Sequence, residues 1–332
     1  MESEAPDRSP VDRSMLAYHL LCHGQFKQVA MLLEALYCPD DVFLVDVDNA
    51  KQPDTSAIER WLVKPNVHLV LDDDIAWGGA GTMRKTLRGA FRLLSLDTNW
   101  EYYIVLSGQD LPLQSNDVIK SVLSSRSADA INYIRSHCPP KLQLEDIPIS
   151  NRRPHSVLWS DRGHTKVYGK PGAIDPQVGW YARTLVDVTE LGYKGETHVG
   201  VADPLLLKRR EEFFDRYRLH GGANWFNLHR SLIEYMEKDP FTYELYDVMR
   251  STFIPDESFF QTYIMNSPFK NKACNDYGRL ILRPGPIPRV KVLDMSDWDT
   301  IQASNELFAR KFDLNSDPNL IKQVLSARCC SA

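Results

Sequence analysis

The stretch that decides the fold is MLAYHLLCHGQFKQVAMLLEALYCPDDVFLVDVD, residues 15–48. Its first nine residues form an apolar run that predicts a buried strand, and its last seven predict a second strand. The segment between them has apolar side chains at helical spacing, namely Val29, Leu32, Leu33 and Leu36. A strand, a helix and a strand in this order indicate a parallel sheet with helices packed against it.

The same alternation continues along the chain. Further strands are predicted within 67–71, 102–108, 129–134 and 223–228, and helices within 82–96, 115–125, 229–239 and 304–313. We therefore predict an α/β fold with a mostly parallel central sheet and helices on both faces, in which ligands bind beyond the carboxyl ends of the strands. Residues 136–180 lose the rhythm and are rich in proline, histidine and basic residues, which predicts a long functional loop.

Composition excludes several classes of protein. The chain has 332 residues, 43% of them hydrophobic and 25% charged, which is typical of a soluble globular protein. A net charge of -5 argues against a general nucleic-acid binder. The six cysteines show no zinc-finger spacing, and neither a signal peptide nor a long apolar run is evident. We therefore expect a cytoplasmic protein with at most peripheral membrane contact.

The predicted domain organisation is simple. A disordered start over 1–14 precedes one domain over 15–315, and a helix or tail follows over 316–332.

Acidic side chains follow two of the predicted strands. Asp46 and Asp48 form a D-x-D pattern, which commonly holds a divalent cation on a nucleotide diphosphate. One of these aspartates could instead bind a base or ribose, or both could lie at a solvated strand end. The acidic residues 72–74 leave the same alternatives open.

A glycine-containing stretch, WGGAGTMRKT (77–86), joins a strand to a helix and resembles a phosphate-binding loop. It lacks both the complete G-x-G-x-x-G pattern and the Walker pattern. The favoured interpretation is a tight turn with Thr82 as the helix N-cap.

Two further stretches carry candidate site residues. LSGQDLPL (106–113) places Gln109 and Asp110 at the carboxyl edge of the sheet, although Asp110 could simply cap the next turn. In FIPDESFFQT (253–262), Asp256 is the expected helix cap, and Glu257 follows it without a clear structural duty. A carboxylate at that position could interact with the helix dipole or accept a proton from a substrate.

Several stretches together resemble glycosyltransferase family 14, which contains core-2/I-branching β-1,6-N-acetylglucosaminyltransferases and peptide O-xylosyltransferases. They are WGGAGTMRKTLRGAF, YYIVLSGQDLPLQSNDVI, GGANWFNLHRSLIEYM, IPDESFFQTYIMNSP and LFARKFD, in the family's order, and the similarity runs from about Met15 to Asp313. The resemblance implies a GT-A type nucleotide-sugar fold and inverting transfer from a UDP-sugar to a hydroxyl without a metal or other cofactor.

The resemblance also implies roles for particular residues. Glu257 matches the catalytic base, Asp48 an aspartate that contacts uridine, and Arg289 and Lys311 the basic groups that neutralise the diphosphate. We further predict Cys22 in the donor site. Gln109, Asp110, Trp225 and Arg153 are predicted to lie in the acceptor or sugar pocket.

The expected partners are a UDP-sugar and a glycan, glycolipid or peptide hydroxyl, with no nucleic acid. The transferred sugar is N-acetylglucosamine, xylose or glucose, and a bacterial enzyme of surface polysaccharide synthesis fits these features. Two alternatives remain open: a metal-dependent transferase that uses Asp46 and Asp48, and a non-catalytic relative that only binds a sugar or nucleotide.

Overall fold

A computed structural model describes residues 15–49, 52–72, 79–96, 98–138, 209, 212–250, 254–284 and 290–329, and the backbone of four strands between 154 and 201. A seven-stranded sheet forms its centre, and its strands are β1 Met15–Cys22, β2 Val42–Asp48, β3 Val67–Asp72, β4 Trp100–Ser107, β6 Asn132–Ile134, β11 Phe226–His229 and β12 Ala273–Cys274. Their order across the sheet is β12-β6-β11-β4-β1-β2-β3. All run parallel except β11, which is antiparallel to both of its neighbours.

Helices cover both faces of this sheet, as the sequence predicted. One face packs against α1 Phe26–Leu36, α4 Asn116–Ser124 and α9 Pro318–Cys329. The other face packs against α3 Gly81–Leu94, α5 Arg230–Lys238, α6 Pro240–Met249 and α7 Phe259–Met265. Leu16, Tyr18 and Leu20 of β1 enter the first core, whereas Ala17 enters the second. Because both faces are buried, the strand sequence is a continuous apolar run.

Two smaller sheets complete the described structure. β5 Asp110–Pro112, β14 Phe308–Arg310 and β13 Arg279–Ile281 form a three-stranded sheet with β14 in the centre. β7 Pro154–Ser160, β8 Gly163–Tyr168, β9 Val186–Leu191 and β10 Glu196–Val201 form a four-stranded sheet. The short helices α2 Glu59–Leu62 and α8 Trp298–Gln302 lie between strands in the chain.

Three sequence predictions about local structure are wrong. The predicted helix over 304–313 is the strand β14, because Phe308 and Ala309 are buried and paired with β5 and β13. The predicted loop 136–180 contains the antiparallel pair β7 and β8. Thr82 does not cap α3, since the helix begins at Gly81 with Ala80 in the cap position and no capping side chain.

The helix around Glu257 also differs from the prediction. Asp256 is not its cap, because Pro255–Glu257 form a separate 3₁₀ turn that follows Ile254 at φ 54°. Ser258, at φ -147°, interrupts the helical path, so that α7 begins only at Phe259. Glu257 therefore lies in a turn before the helix rather than in its first turn.

Candidate functional site

The candidate site lies where the parallel strands of the central sheet end. Cys22 ends β1, Asp48 ends β2, and Gln109 and Asp110 follow β4. The reversed direction of β11 brings its first residues to this same edge, so that Trp225, just before β11, also lies there. Such an edge is the usual ligand site of an open α/β sheet.

A loop before β11 links Glu257 to this edge. The backbone N–H of Gly222 donates to the carbonyl of Glu257 at 2.8 Å, and Gly221 forms an antiparallel bridge with His137. The Gln261 side chain, in α7, donates to the carbonyl of Ala223 at 2.8 Å. A Cβ on Gly222 would overlap the carbonyl oxygen of Arg135, which explains the glycine at this close approach. Glu257 is half-buried. Its backbone carbonyl is thus bonded to Gly222, which lies three residues before Trp225 in the same loop.

Trp225 in turn contacts the three-stranded sheet. The guanidinium carbon of Arg310 lies 3.8 Å from the centre of the Trp225 ring, which is a close cation–π contact. The Nε of Arg310 lies 3.7 Å from Oδ1 of Asp110. Burial lowers the pKa of Arg310, and the charge of Asp110 opposes this shift. Sequence reasoning did not single out Arg310, although it lies within the quoted stretch LFARKFD.

Lys311 follows Arg310 and is half-buried. Its carbonyl accepts a hydrogen bond from the N–H of Leu293 at 2.9 Å, and the N–H of Phe312 donates to the carbonyl of Gln109 at 2.9 Å. These backbone bonds hold Lys311 beside the turn that follows β4.

Gln28 joins the same two segments and was not predicted from the sequence. Its side-chain nitrogen donates to the carbonyls of Gly108 at 2.9 Å and Phe312 at 3.2 Å, and its oxygen accepts from the N–H of Leu314 at 2.8 Å. The signal available in the sequence was the spacing of Gln28, four residues before Leu32, which places a glutamine on the apolar face of α1. A buried glutamine needs hydrogen-bond partners, and Gln28 is fully buried.

Asp46 belongs to a buried ion pair beneath the strand ends. Its Oδ1 accepts from Nζ of Lys85 at 2.6 Å, and its Oδ2 lies 3.4 Å from Nε2 of His19. Lys85 also lies within 3.5 Å of the carbonyls of Val47 and Asp72. Burial acts to raise the pKa of Asp46, but His19 and Lys85 together hold it below its usual value. The carboxylate of Asp46 is 4% exposed and already neutralised, so it does not suit a metal-bound diphosphate.

The remaining predicted residues differ in their positions. The thiol of Cys22 is 3% exposed and donates to the carbonyl of Leu20, and burial raises its pKa. Asp48 is half-buried at the strand end, where Asp72 is its register partner. Arg153 and Arg289 lie outside the described residues. Within the described part of the chain, no group of three or more acidic, histidine or cysteine side chains could hold a metal ion.

Two histidines, His137 and His220, lie close to the turn that contains Glu257. The N–H and C=O of His137 both bond to Gly221 at 2.9 Å, and Nδ1 of His220 lies 3.2 Å from Oγ of Ser136. Burial lowers the pKa of His137, and the charge of Glu257 opposes this shift. Burial, together with Lys270, Arg218 and His137, lowers the pKa of His220 to about 4.

This low pKa predicts acid sensitivity of the fold. Between about pH 6.5 and pH 4 the unfolded chain binds a proton at His220 that the folded chain does not, so the free energy of unfolding falls as pH falls. We expect the His220→Gln variant to lose about 1–2 kcal/mol less than the parent over this range, after allowance for partial exposure. Urea unfolding at several pH values measures the difference. Parallel curves for the parent and His220→Gln would contradict the prediction.

The geometry defines a class: an α/β protein of the GT-A type, with a carboxylate and basic side chains at the carboxyl edge of its sheet. The family model of the core-2/I-branching enzymes matches residues 16–145 and 193–306. The chain therefore belongs to the core-2/I-branching enzyme family, a family of glycosyltransferases, and the resemblance inferred from the motifs is confirmed.

Curated relatives agree with this assignment. Xylosyltransferase 2 of Rattus norvegicus is 25% identical over 282 residues, which cover 81% of this chain and 26% of that protein. Xylosyltransferase oxt of Drosophila melanogaster is 25% identical over 333 residues, 91% of this chain and 32% of that protein. Xylosyltransferase 2 of Homo sapiens is 26% identical over 274 residues, 80% of this chain and 26% of that protein. The chain thus spans about a quarter to a third of the length of these relatives.

No described helix is both long and apolar enough to cross a membrane.

Proposed function

We propose that the chain transfers a sugar from a UDP-sugar to an acceptor hydroxyl, with inversion at the anomeric carbon and with Glu257 as the general base. The observation that carries the proposal is the continuous chain of contacts from the Glu257 turn to Arg310. Gly222 bonds to Glu257, its loop leads to Trp225, and Trp225 stacks on Arg310. Lys311 is the next residue.

Each side chain has a separate task in this reaction. The Glu257 carboxylate takes the proton of the acceptor hydroxyl while the oxygen forms a bond to the anomeric carbon. The bond between that carbon and the β-phosphate oxygen breaks, and UDP leaves from the opposite face. Lys311 and Arg310 stabilise the negative charge that develops on the leaving diphosphate. Asp48, at the end of β2, accepts a hydrogen bond from the uridine.

We also propose that this reaction needs no metal ion. The ion pair between Asp46 and Lys85 supports the proposal, because a D-x-D site would need the Asp46 carboxylate as an oxygen ligand. Two fixed cations at the sheet edge would supply the positive charge in its place.

A donor screen tests both proposals. UDP release should be seen with one of UDP-xylose, UDP-N-acetylglucosamine and UDP-glucose when an acceptor glycan, glycolipid or peptide is present. The names of the relatives make xylose the first donor to test. Because the proposed reaction uses no metal ion, we expect the rate in excess EDTA to stay within about twofold of the untreated rate. Removal of a catalytic metal ion would instead cost several kcal/mol of transition-state stabilisation. Loss of activity that manganese restores would overturn the metal-free mechanism. UDP binding without turnover of any donor would favour a non-catalytic relative.

A further inference from the structure

The carboxylate of Asp110 is built into the sheet edge in one orientation. Its Oδ2 accepts hydrogen bonds from the backbone N–H of Ser107 at 2.8 Å and from the Ser107 hydroxyl. Its side chain is 0% exposed. The carboxylate is therefore closed off from solvent by the residues around it, and its predicted place in the sugar pocket stays a prediction. Its second oxygen, Oδ1, lies towards Arg310.

Arg310 is held between two groups of different chemistry. Its guanidinium carbon lies over the Trp225 ring at 3.8 Å from the ring centre, and its Nε lies 3.7 Å from Oδ1 of Asp110. Within the described part of the chain, neither Nε nor Oδ1 has a hydrogen-bond partner. A guanidinium that is 13% exposed needs a nearby counter-charge, and Asp110 supplies one. The ring contacts the guanidinium by a cation–π interaction, and the carboxylate attracts its Nε.

The backbone couples Asp110 to the same place. Asp110 is the register partner of Arg310 in the pairing of β5 with β14, and the carbonyl of Gln109 accepts from the N–H of Phe312. One short segment thus aligns both Arg310 and Lys311.

We infer that Asp110 is a positioning residue for the transfer reaction: through Arg310 it holds the guanidinium on Trp225, next to Lys311, where the diphosphate of the donor binds. This inference rests on the proposed function, because it assumes that the leaving group is a nucleoside diphosphate. It assigns Asp110 no contact with either substrate.

An amide at position 110 would reverse the interaction with Arg310. The N–H and hydroxyl of Ser107 require an acceptor, so the amide oxygen of an asparagine takes the place of Oδ2. Its NH₂ group then faces Nε–H of Arg310, which places two donors opposite each other. We expect the guanidinium to leave its position on Trp225.

The test measures UDP and uridine affinity by calorimetry and kcat with the active UDP-sugar. In Asp110→Asn, UDP affinity should fall about tenfold while uridine affinity stays within twofold, and kcat should fall at least tenfold. In Arg310→Lys, which keeps the charge but loses the flat guanidinium, adding Asp110→Asn should change UDP affinity less than twofold. Independent effects of the two substitutions would overturn the inference, as would unchanged or higher UDP affinity in Asp110→Asn.

Asp41→Asn is the matched control. Asp41 is also a buried carboxylate; its Oδ1 accepts from the N–H of Leu16 at 2.9 Å and from Lys120 at 2.7 Å, near the opposite ends of the strands. This variant should lose thermal stability but keep the ratio of UDP to uridine affinity. An equal change in that ratio in Asp41→Asn would show a general effect of removing a buried charge and would overturn the inference.

Two further outcomes are distinguishable. If Asp110→Asn does not fold, Ser107→Ala is the second variant, because it removes one of the hydrogen bonds that orient the Asp110 carboxylate. It should lower the ratio of UDP affinity to uridine affinity about threefold. An unchanged ratio would overturn the inference. If the parent binds no UDP and uses no UDP-sugar, the proposed function and this inference fail together. If the parent is active and Asp110→Asn matches it, only the role of Asp110 fails.

Discussion

Glu257→Gln should retain UDP binding and lose transfer by about 10³-fold, within the range of 10²–10⁴ that general base catalysis contributes. The amide is nearly isosteric with the carboxylate but cannot accept the proton of the acceptor hydroxyl. The backbone carbonyl of residue 257, which bonds to Gly222, is unchanged by the substitution, so the loop that carries Trp225 should keep its position. UDP release under saturating donor and acceptor, together with calorimetric UDP binding, measures both effects.

Asp256→Asn is the matched control for this substitution. Asp256 is in the same 3₁₀ turn, so its replacement removes a carboxylate from the same short segment. We expect its turnover to remain within about threefold of the parent. If Glu257→Gln turned over as fast as the parent, or if Asp256→Asn were the slower variant, Glu257 would not be the base.

A second large effect is expected at Lys311. Replacing Lys311 with methionine keeps the length of the aliphatic chain and removes the charge that faces the leaving diphosphate in the proposed mechanism. Loss of one preorganised electrostatic group commonly reduces kcat by 10²–10³-fold, which corresponds to about 3–4 kcal/mol of transition-state stabilisation. UDP affinity should fall as well, whereas uridine affinity should stay within about twofold, because uridine has no phosphate. Steady-state kinetics and competitive binding of the two ligands separate these effects.

Lys322→Met provides the comparison, because Lys322 is an exposed lysine on α9 that has no part in the proposed mechanism. Its kinetics should equal those of the parent. A parallel loss of uridine and UDP affinity in Lys311→Met would indicate a disturbed fold rather than a lost phosphate contact. Unchanged kcat would remove Lys311 from the mechanism.

The central sheet could be predicted because its strands are buried on both faces. β2 has the predicted bounds, Val42–Asp48, and β1 ends one residue before its prediction. Six of the seven residues of β2 are buried, and its first four residues are all apolar, as expected for a strand that is covered on both faces. The position of Asp48 at a strand end followed directly from that pattern.

The geometry around Arg310 could not be predicted in the same way. β14 exists because Phe308 and Ala309 pair with strands from two distant parts of the chain, and local spacing does not contain that information. The ion-pair partners of Asp46 could not be predicted from the sequence for a similar reason. Lys85 lies on α3, and its contact with β2 arises only when the helix packs across the sheet. Glu257 and Lys311 were identified from the order of motifs, and their roles stay predictions.

The three-stranded sheet has a consequence for synthesis of the protein. β5 lies at Asp110–Pro112, but its partner β14 lies at Phe308–Arg310, so a nascent chain completes most of the central sheet before β14 leaves the ribosome. Until then, Asp110 has no guanidinium opposite it and Trp225 has no cation on its ring. The proposed diphosphate-binding side of the donor site is therefore assembled late in translation, after the strands of the central sheet have been synthesised.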